Sequence, residues 1–348
     1  MNPSIIPLFF LGIVLGTGLV ASSSHWLLAW MGLEINTLAI IPLMIQNRHP
    51  RAVEATTKYF ITQATAAAVL LAAATANAWL TGQWNIYEQA HEIPTLMIIS
   101  ALALKLGLAP LHLWLPEVLQ GLDLNTGLLL STWQKLAPFL ILTQMPLNDN
   151  SLLIVLGLSS TLVGGWGGLN QTQLRKIMAY SSTAHLGWMI LIVKYAPALT
   201  MFTLVVYWVM TSSAFLTFKF NKAYTINALG LSWADSPLMT SMVPLILFSL
   251  AGLPPMTGFA PKMLILQELT KQDLGTTALL TALTALLGLY FYLRLSHAIA
   301  LTLYPNNLTG IPRWRLHNCG PPALLVMLTF SAVLLLPLTP SITALFTP

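Results

Sequence analysis

Charge is what this chain lacks most. Its 348 residues include 15 Lys and Arg and 10 Asp and Glu, or 7% charged, where a soluble domain carries about 25%. So few charges cannot cover the surface of a water-soluble fold of this length, and so apolar a chain is not disordered. Cysteine is nearly absent: the single Cys319 excludes a disulfide scaffold. There is no CxxC, no HExxH and no Walker loop, and Gly164–Gly168 does not match the dinucleotide fingerprint. No site is therefore expected for Cys-held haem, an iron–sulfur cluster, zinc or a nucleotide phosphate, and no cofactor is expected on this chain. The net charge is +5, but its cations are scattered without a basic run, so nucleic acid is not expected as a partner. The first 25 residues hold no Lys, Arg, Asp or Glu. That argues against a basic signal or an Arg-rich transit peptide.

What the chain has is apolar length: 56% of its residues are hydrophobic. A membrane-spanning helix needs about 20 of them. Runs of that length fall at roughly 5–21, 25–45, 59–80, 95–115, 126–145, 151–169, 177–194, 199–220, 240–269, 276–304 and 321–346. The expected fold is all-α, a polytopic membrane protein of about eleven helices joined by short turns such as Pro146/Asn148/Asn150 and Pro305/Asn306/Asn307. Alternation puts Arg48, Arg51, Lys58, Arg175, Lys176, Lys219, Lys222, Arg313 and Arg315 on the side of the N-terminus, and Lys194 and Lys271 on the other. By the positive-inside rule the N-terminus faces the cytoplasm or matrix, and an odd helix count puts the C-terminus opposite. GxxxG pairs at Gly12/Gly16 and Gly164/Gly168, with the Ala-rich stretch from Ala64 to Ala78, predict close helix packing. The sequons at Asn170 and Asn307 are read as accidental.

Two of these helices are interrupted. Gly107-Leu108-Ala109-Pro110 in the fourth and Gly252-Leu253-Pro254-Pro255 in the ninth align at an offset of 145, as do Pro116 and Pro261. Helices five apart cross the membrane in opposite directions. A pair of Gly/Pro-broken helices of inverted topology is a pointer to a transport site near the midplane. The alternative is two ordinary proline kinks.

Four ionisable residues lie inside the apolar runs: Glu34 in helix 2, Lys105 in helix 4, Lys135 in helix 5 and Lys262 after the break in helix 9. Each charge at the bilayer centre costs about 2.5–3.5 kcal/mol on the lenient scale, so four facing lipid would cost on the order of 10 kcal/mol. They must face protein or water and pair. A static Glu34–Lys105 ion pair that fixes helix register is one reading. With three lysines and one carboxylate, however, two cations lack an anion, which fits lysines that hold and pass protons. His112, seven residues after Lys105 and so on the same face of a continuous helix, and His185, beside Ser181, Ser182 and Thr183, are candidate relays or else packing residues. Arg294 is left open. Glu117 and Asp123 are expected to be solvated loop charges.

These residues sit in long motifs: Leu33-Glu34-Ile35-Asn36; the run from Lys105 through His112-Leu113-Trp114-Leu115-Pro116-Glu117; Trp133-Gln134-Lys135-Leu136-Ala137-Pro138; the run from Gly168 to Ile177; and Gly252 to Phe259, followed by Lys262. In that order, over the whole chain, the sequence resembles the antiporter-like membrane-arm subunits of vertebrate mitochondrial respiratory complex I, the proton-pumping NADH:ubiquinone oxidoreductase. The resemblance implies two inverted five-helix units, residues 1–145 and 146–304, each with one broken helix, and a closing C-terminal helix in 305–348. It implies that Glu34 and Lys105 form a coupling pair, that Lys135 links half-channels, and that Lys262 is the terminal charge. NADH, FMN, iron–sulfur clusters and ubiquinone would belong to partner subunits. The partners would be other membrane-arm and accessory subunits, membrane lipids and protons. The location would be the mitochondrial inner membrane, with the N-terminus in the matrix and the C-terminus in the intermembrane space. A subunit of a multisubunit sodium/proton antiporter shares this fold and is the alternative, and a non-pumping scaffold is a third reading.

Overall fold

The computed structural model describes residues 5–46, 49–88, 91–147, 150–233, 236–300 and 322–346. Arg48, Asn148, the Pro305–Asn307 turn with its sequon, Arg313, Arg315 and Cys319 lie outside the described residues. Among those described, regular structure is helical, with two isolated antiparallel bridges, His25 with Asn85 and Gln173 with Thr225. The chain divides into two compact units, Met1–Ser160 and Thr161–Pro348. The first contains α1 (Ile6–Ser22), α2 (Trp26–Met44), α3 (Pro50–Thr81), α4 (Glu92–Leu106), α5 (Trp114–Gly121), α6 (Leu124–Ser131), a 3-10 turn (Trp133–Lys135), α7 (Leu136–Gln144) and the start of α8 (Asn150–Gly168). The second contains the rest of α8, then α9 (Leu174–Ile192), α10 (Pro197–Phe220), α11 (Ile226–Leu231), α12 (Pro237–Ala251), α13 (Phe259–Lys271), α14 (Gly275–Ala300), α15 (Ala323–Leu334), a 3-10 turn (Leu336–Leu338) and α16 (Thr339–Phe346). Among the described residues, five helices are long and apolar enough to cross a membrane: α2, α3, Ser151–Gly168 of α8, α10 and α14. The shorter α1, α12 and α15 are also apolar.

Small residues set the helix spacing, as the GxxxG pairs predict. A Cβ on Gly16 would lie 2.8 Å from the Gly32 carbonyl oxygen of α2, and one on Gly164 would lie 2.6 Å from the Ala184 nitrogen of α9. Along α3, Ala66, Ala67, Ala73 and Ala74 are all buried. This is how membrane helices gain dispersion energy without a hydrophobic effect between them.

The structure corrects several boundaries. The third helix starts at Pro50, not near residue 59. Proline at its first turn is preset for helical φ, and the His49 side chain accepts a hydrogen bond from the Arg51 backbone. Arg51 and Lys58 are therefore helical. Glu117 is exposed, as expected of a solvated charge, but it is helical rather than in a loop: it sits in the first turn of α5, 2.8 Å from Lys58, which also meets Glu54 at 2.9 Å. The expected helix 126–145 is itself broken. Pro138 has no N–H to donate to the carbonyl of residue 134 one turn earlier, and the chain there passes through the 3-10 turn that carries Lys135. The final expected helix is divided into α15 and α16. Arg294 is resolved: its guanidinium donates to the Leu169 carbonyl at the end of α8.

The two expected breaks are built alike, bond for bond. Residues α4 and α12 occupy have bounds offset by 145, and so have the first residues of α5 and α13. Gly107 N–H donates to Ala103 and Leu104, and Leu108 N–H to Ala103; Gly252 N–H donates to Phe248 and Ser249, and Leu253 N–H to Phe248. Both glycines take left-handed φ, +77° and +78°. That conformation lets the chain fold back on its own last carbonyls. Beyond the first break, Ala109 N–H donates to Ser160 Oγ at 3.0 Å, and Ser159 Oγ donates to the Ala109 carbonyl at 3.1 Å. The matching residue of the second break, Pro254, has no N–H to satisfy. There Thr257 Oγ1 donates to the Ala332 carbonyl of α15.

The Gly107 position has open van der Waals room, with no neighbour nearer than 3.4 Å to an added Cβ. Gly107→Ala is therefore a test of φ alone. It is expected to lower stability by about 1–2 kcal/mol. Gly18→Ala, at a helical site with nothing within 4 Å, is expected to be neutral. Thermal midpoints of the assembled complex distinguish the two.

Candidate functional site

The first unit encloses a cavity of about 20 Å³, enough for a water molecule. Its wall brings together Lys105 from the last turn of α4, Lys135 from the 3-10 turn, Asn36 and Thr37 from α2, Tyr59 and Gln63 from α3, and Gln134. Lys105 is 5% exposed and Lys135 3%. Among the described residues, the Lys105 ammonium finds no hydrogen-bond partner, and neither do the two polar atoms of the Asn36 amide or Gln63 Nε2. Orphaned buried polar groups around a space of this size are the signature of a hydrated pocket. Glu34, half-buried, reaches the wall through Thr37, whose hydroxyl donates to Glu34 Oε2 at 3.1 Å and to the Glu34 carbonyl at 2.8 Å.

Glu34 and Lys105 feel each other electrostatically, yet no Glu34 oxygen lies within 4.0 Å of the Lys105 ammonium. Among the described residues, ion pairs join Lys58 to Glu54 and Glu117, and Lys271 to Glu268. A static contact pair is thus not what holds α2 to α4.

His112 is 6% exposed and sits in the turn between α4 and α5, outside this wall. Its expected alignment with Lys105 assumed an unbroken helix. The helix stops at Leu106, so the two do not share a face.

In the second unit Lys262 and His185 line two cavities of about 20 Å³ each. The Lys262 ammonium donates to the carbonyl of Ala251, the last residue of α12, at 2.6 Å and lies 5.9 Å from the Trp188 ring centre. A helix C-terminus carries about half a negative charge. The cation that lacked an anion in the sequence therefore has the open end of a broken helix. His185 packs against Tyr207, with ring centres 5.4 Å apart and planes tilted by 44°.

The sequence reading missed Asn36, Tyr59, Gln63 and Gln134. The signal was there: Tyr59 and Gln63 are four apart on one face of α3, polar residues in an apolar run.

These features define an antiporter-like membrane subunit. Residues 23–288 match the family described as NADH:quinone oxidoreductase/Mrp antiporter, transmembrane region, and residues 289–343 match the NADH dehydrogenase subunit 2 C-terminus. NADH-ubiquinone oxidoreductase chain 2 of Tetraodon nigroviridis is 65% identical over 99% of both chains, and that of Salmo salar 62% identical over the whole of both. A chain of respiratory complex I from Thermus thermophilus superposes with a TM-score of 0.87 at 28% identity, over 99% of this chain and 80% of that one. The chain belongs to the NADH-ubiquinone oxidoreductase chain 2 family.

Removing an amide whose only available partner is cavity water forfeits no hydrogen bond within the protein. Asn36→Leu, close in shape, is expected to leave the thermal midpoint of the assembled complex unchanged or higher. A loss of more than about 1 kcal/mol, the net worth of one hydrogen bond, would show that the amide is held after all.

Proposed function

We propose that this chain carries protons across the mitochondrial inner membrane as a core membrane subunit of NADH:ubiquinone oxidoreductase, with Glu34, Lys105, Lys135 and Lys262 as the groups that hold and pass them. Family membership supplies the complex. The observation that supports the proton role is the first unit's cavity, where an unpartnered Lys105 ammonium, orphaned amides and Lys135 surround room for water.

Glu34 stands beyond contact distance of Lys105. At an effective dielectric of about 20, two unit charges about 4 Å apart interact by about 4 kcal/mol, which is an upper bound for this more distant pair. That bound corresponds to at most about a thousandfold in proton affinity. Protonating Glu34, or moving it, therefore changes how tightly Lys105 holds its proton. The hydrated wall offers that proton to Lys135, and Lys262 is the corresponding charge of the second unit. His185, which lines both cavities beside Lys262, is the nearer relay; His112 serves from the turn after α4. The electron-transfer groups, FMN and iron–sulfur clusters, together with NADH and ubiquinone, belong to partner subunits. Partner membrane subunits and lipids cover the apolar helix faces. Ammonium groups lining all three cavities repel Na⁺, which favours proton transfer over sodium exchange.

The matched breaks support two five-helix units, residues 1–145 and 146–304, of opposite membrane direction, with 305–348 forming the closing helix and eleven spans in all. The cation distribution along the sequence supports an N-terminus in the matrix and a C-terminus in the intermembrane space. Protease digestion of intact mitoplasts with antibodies to both ends tests this. Both ends on one side would remove the eleven-span topology.

The proton role is tested in reconstituted vesicles. Glu34→Gln and Lys105→Met are each expected to lower proton pumping and NADH:ubiquinone turnover severely. NADH oxidation by an artificial acceptor, carried by distant subunits, should stay near normal in whatever complex assembles. The double neutralisation should assemble better than either single change, because no buried charge is left unpaired, without regaining pumping. Normal pumping by an assembled Glu34→Gln complex would make this pair structural.

A further inference from the structure

We propose that the buried hydroxyls of Tyr207, Ser182, Ser181 and Tyr292 form a proton seam that joins the two cavities beside Lys262. Protons then reach or leave that lysine by a route additional to His185. The inference rests on reading Lys262 as a proton carrier.

Both cavities share Lys262, His185 and Trp188, but their remaining walls differ. One includes Ser181 and Tyr292, the other Tyr207. Ser181 and Ser182 are consecutive on α9, so their side chains leave the helix about 100° apart and face different neighbours. Ser182 is hydrogen-bonded with the Tyr207 hydroxyl of α10. Ser181 is the polar neighbour of the Tyr292 hydroxyl of α14, which is buried and meets no partner in hydrogen-bond geometry. Ser181 and Tyr292 line the same water-sized space, so a water there would complete the link. The two tyrosine hydroxyls also interact electrostatically.

The serines are oriented to accept. Ser181 Oγ donates to the Met178 carbonyl at 2.8 Å and Ser182 Oγ to the Ala179 carbonyl at 2.7 Å. Each oxygen keeps lone pairs for a tyrosine O–H. At rest the seam therefore ends on backbone carbonyls and does not conduct. Rotating a serine O–H off its carbonyl opens it. A proton then passes as each O–H bond breaks while one forms at the next oxygen. No electron moves, and hydroxyl rotation restores the starting order. Packing alone would be served by phenylalanine: Tyr292 already packs on Phe291, their ring centres 4.3 Å apart. An orphaned hydroxyl in hydrocarbon is costly to keep, and its position on a cavity shared with Lys262 is what the seam accounts for.

The test compares Tyr207→Phe, Tyr292→Phe, the double variant and Lys262→Met in the intact complex reconstituted into vesicles. A positioned proton-transfer group contributes roughly 10²–10⁴-fold. With His185 as a bypass, the double tyrosine variant is expected to lose about tenfold in pumping rate. Its thermal midpoint should match the unsubstituted complex, and its solvent deuterium isotope effect on pumping should rise. Wild-type pumping in the double variant, with pumping lost in Lys262→Met, overturns the seam and leaves the lysine's role standing. A pumping loss with an unchanged isotope effect also overturns it, because packing damage slows every step alike. Normal pumping in Lys262→Met overturns the underlying reading of that lysine, and the seam with it.

Discussion

A helix can end inside hydrocarbon only if its last carbonyls find donors, because no solvent is there to supply them. The rest of this structure follows from how that demand is met at Leu106 and Ala251. Glycine in left-handed φ turns the chain back so that two backbone N–H groups reach the orphaned carbonyls. Hydroxyls secure the segments beyond: Ser159 and Ser160 of α8 bond the backbone of Ala109 at the first break, and Thr257, in the second break itself, donates to the Ala332 carbonyl of α15. The reward for this construction is electrostatic. Each break leaves a helix C-terminus, the negative end of the macrodipole, within the apolar layer. A lysine is placed at each: Lys105 in the last turn of α4 and Lys262 hydrogen-bonded to the last carbonyl of α12. The shortage of carboxylates in the apolar runs is thus made up by the backbone.

The two breaks match in hydrogen bonding and differ in where the charge is attached. At the offset of 145, the residue matching Lys105 at the second break is Leu250, which lines the cavity but carries no charge. The residue matching Lys262 at the first break is Glu117, and it turns to Lys58 on α3. At one break the cation belongs to the helix before it, and at the other to the helix after it. A lysine before the break moves with the capped helix end. A lysine after it bridges the break, so its hydrogen bond to Ala251 ties α13 to α12.

Much of this was legible in the sequence, for a physical reason in each case. Membrane helices are read from apolar length, because the bilayer imposes it. The breaks at Gly107 and Gly252 are read from Gly and Pro, because few residues tolerate that backbone. Buried lysines are conspicuous because each is so costly. The Trp133–Lys135 turn escaped, because Pro138 one turn later is an ambiguous signal: Pro42 and Pro244 sit inside continuous helices. The His112 alignment failed because a 3.6-residue period has no meaning across a break. The cavity wall was hidden for a different reason. Asn36, Tyr59, Gln63 and Gln134 come from three separate stretches, and only packing shows that they meet. Arg294 likewise finds its partner, Leu169, across more than a hundred residues.

Gly252 carries a second burden beyond its backbone angle. The aliphatic stem of Lys262 lies where a side chain at 252 would be, with Cδ 2.8 Å from the position of a Cβ. One missing methyl group thus serves both the turn and the seat of the lysine. Harmful changes in a proton path need not remove a proton-binding group. A substitution here alters no charge, no polarity and barely any volume, yet it displaces an ammonium from the helix end that stabilises it. Inherited variation in such a chain has to be weighed by what each missing atom leaves room for, as well as by what each present one binds.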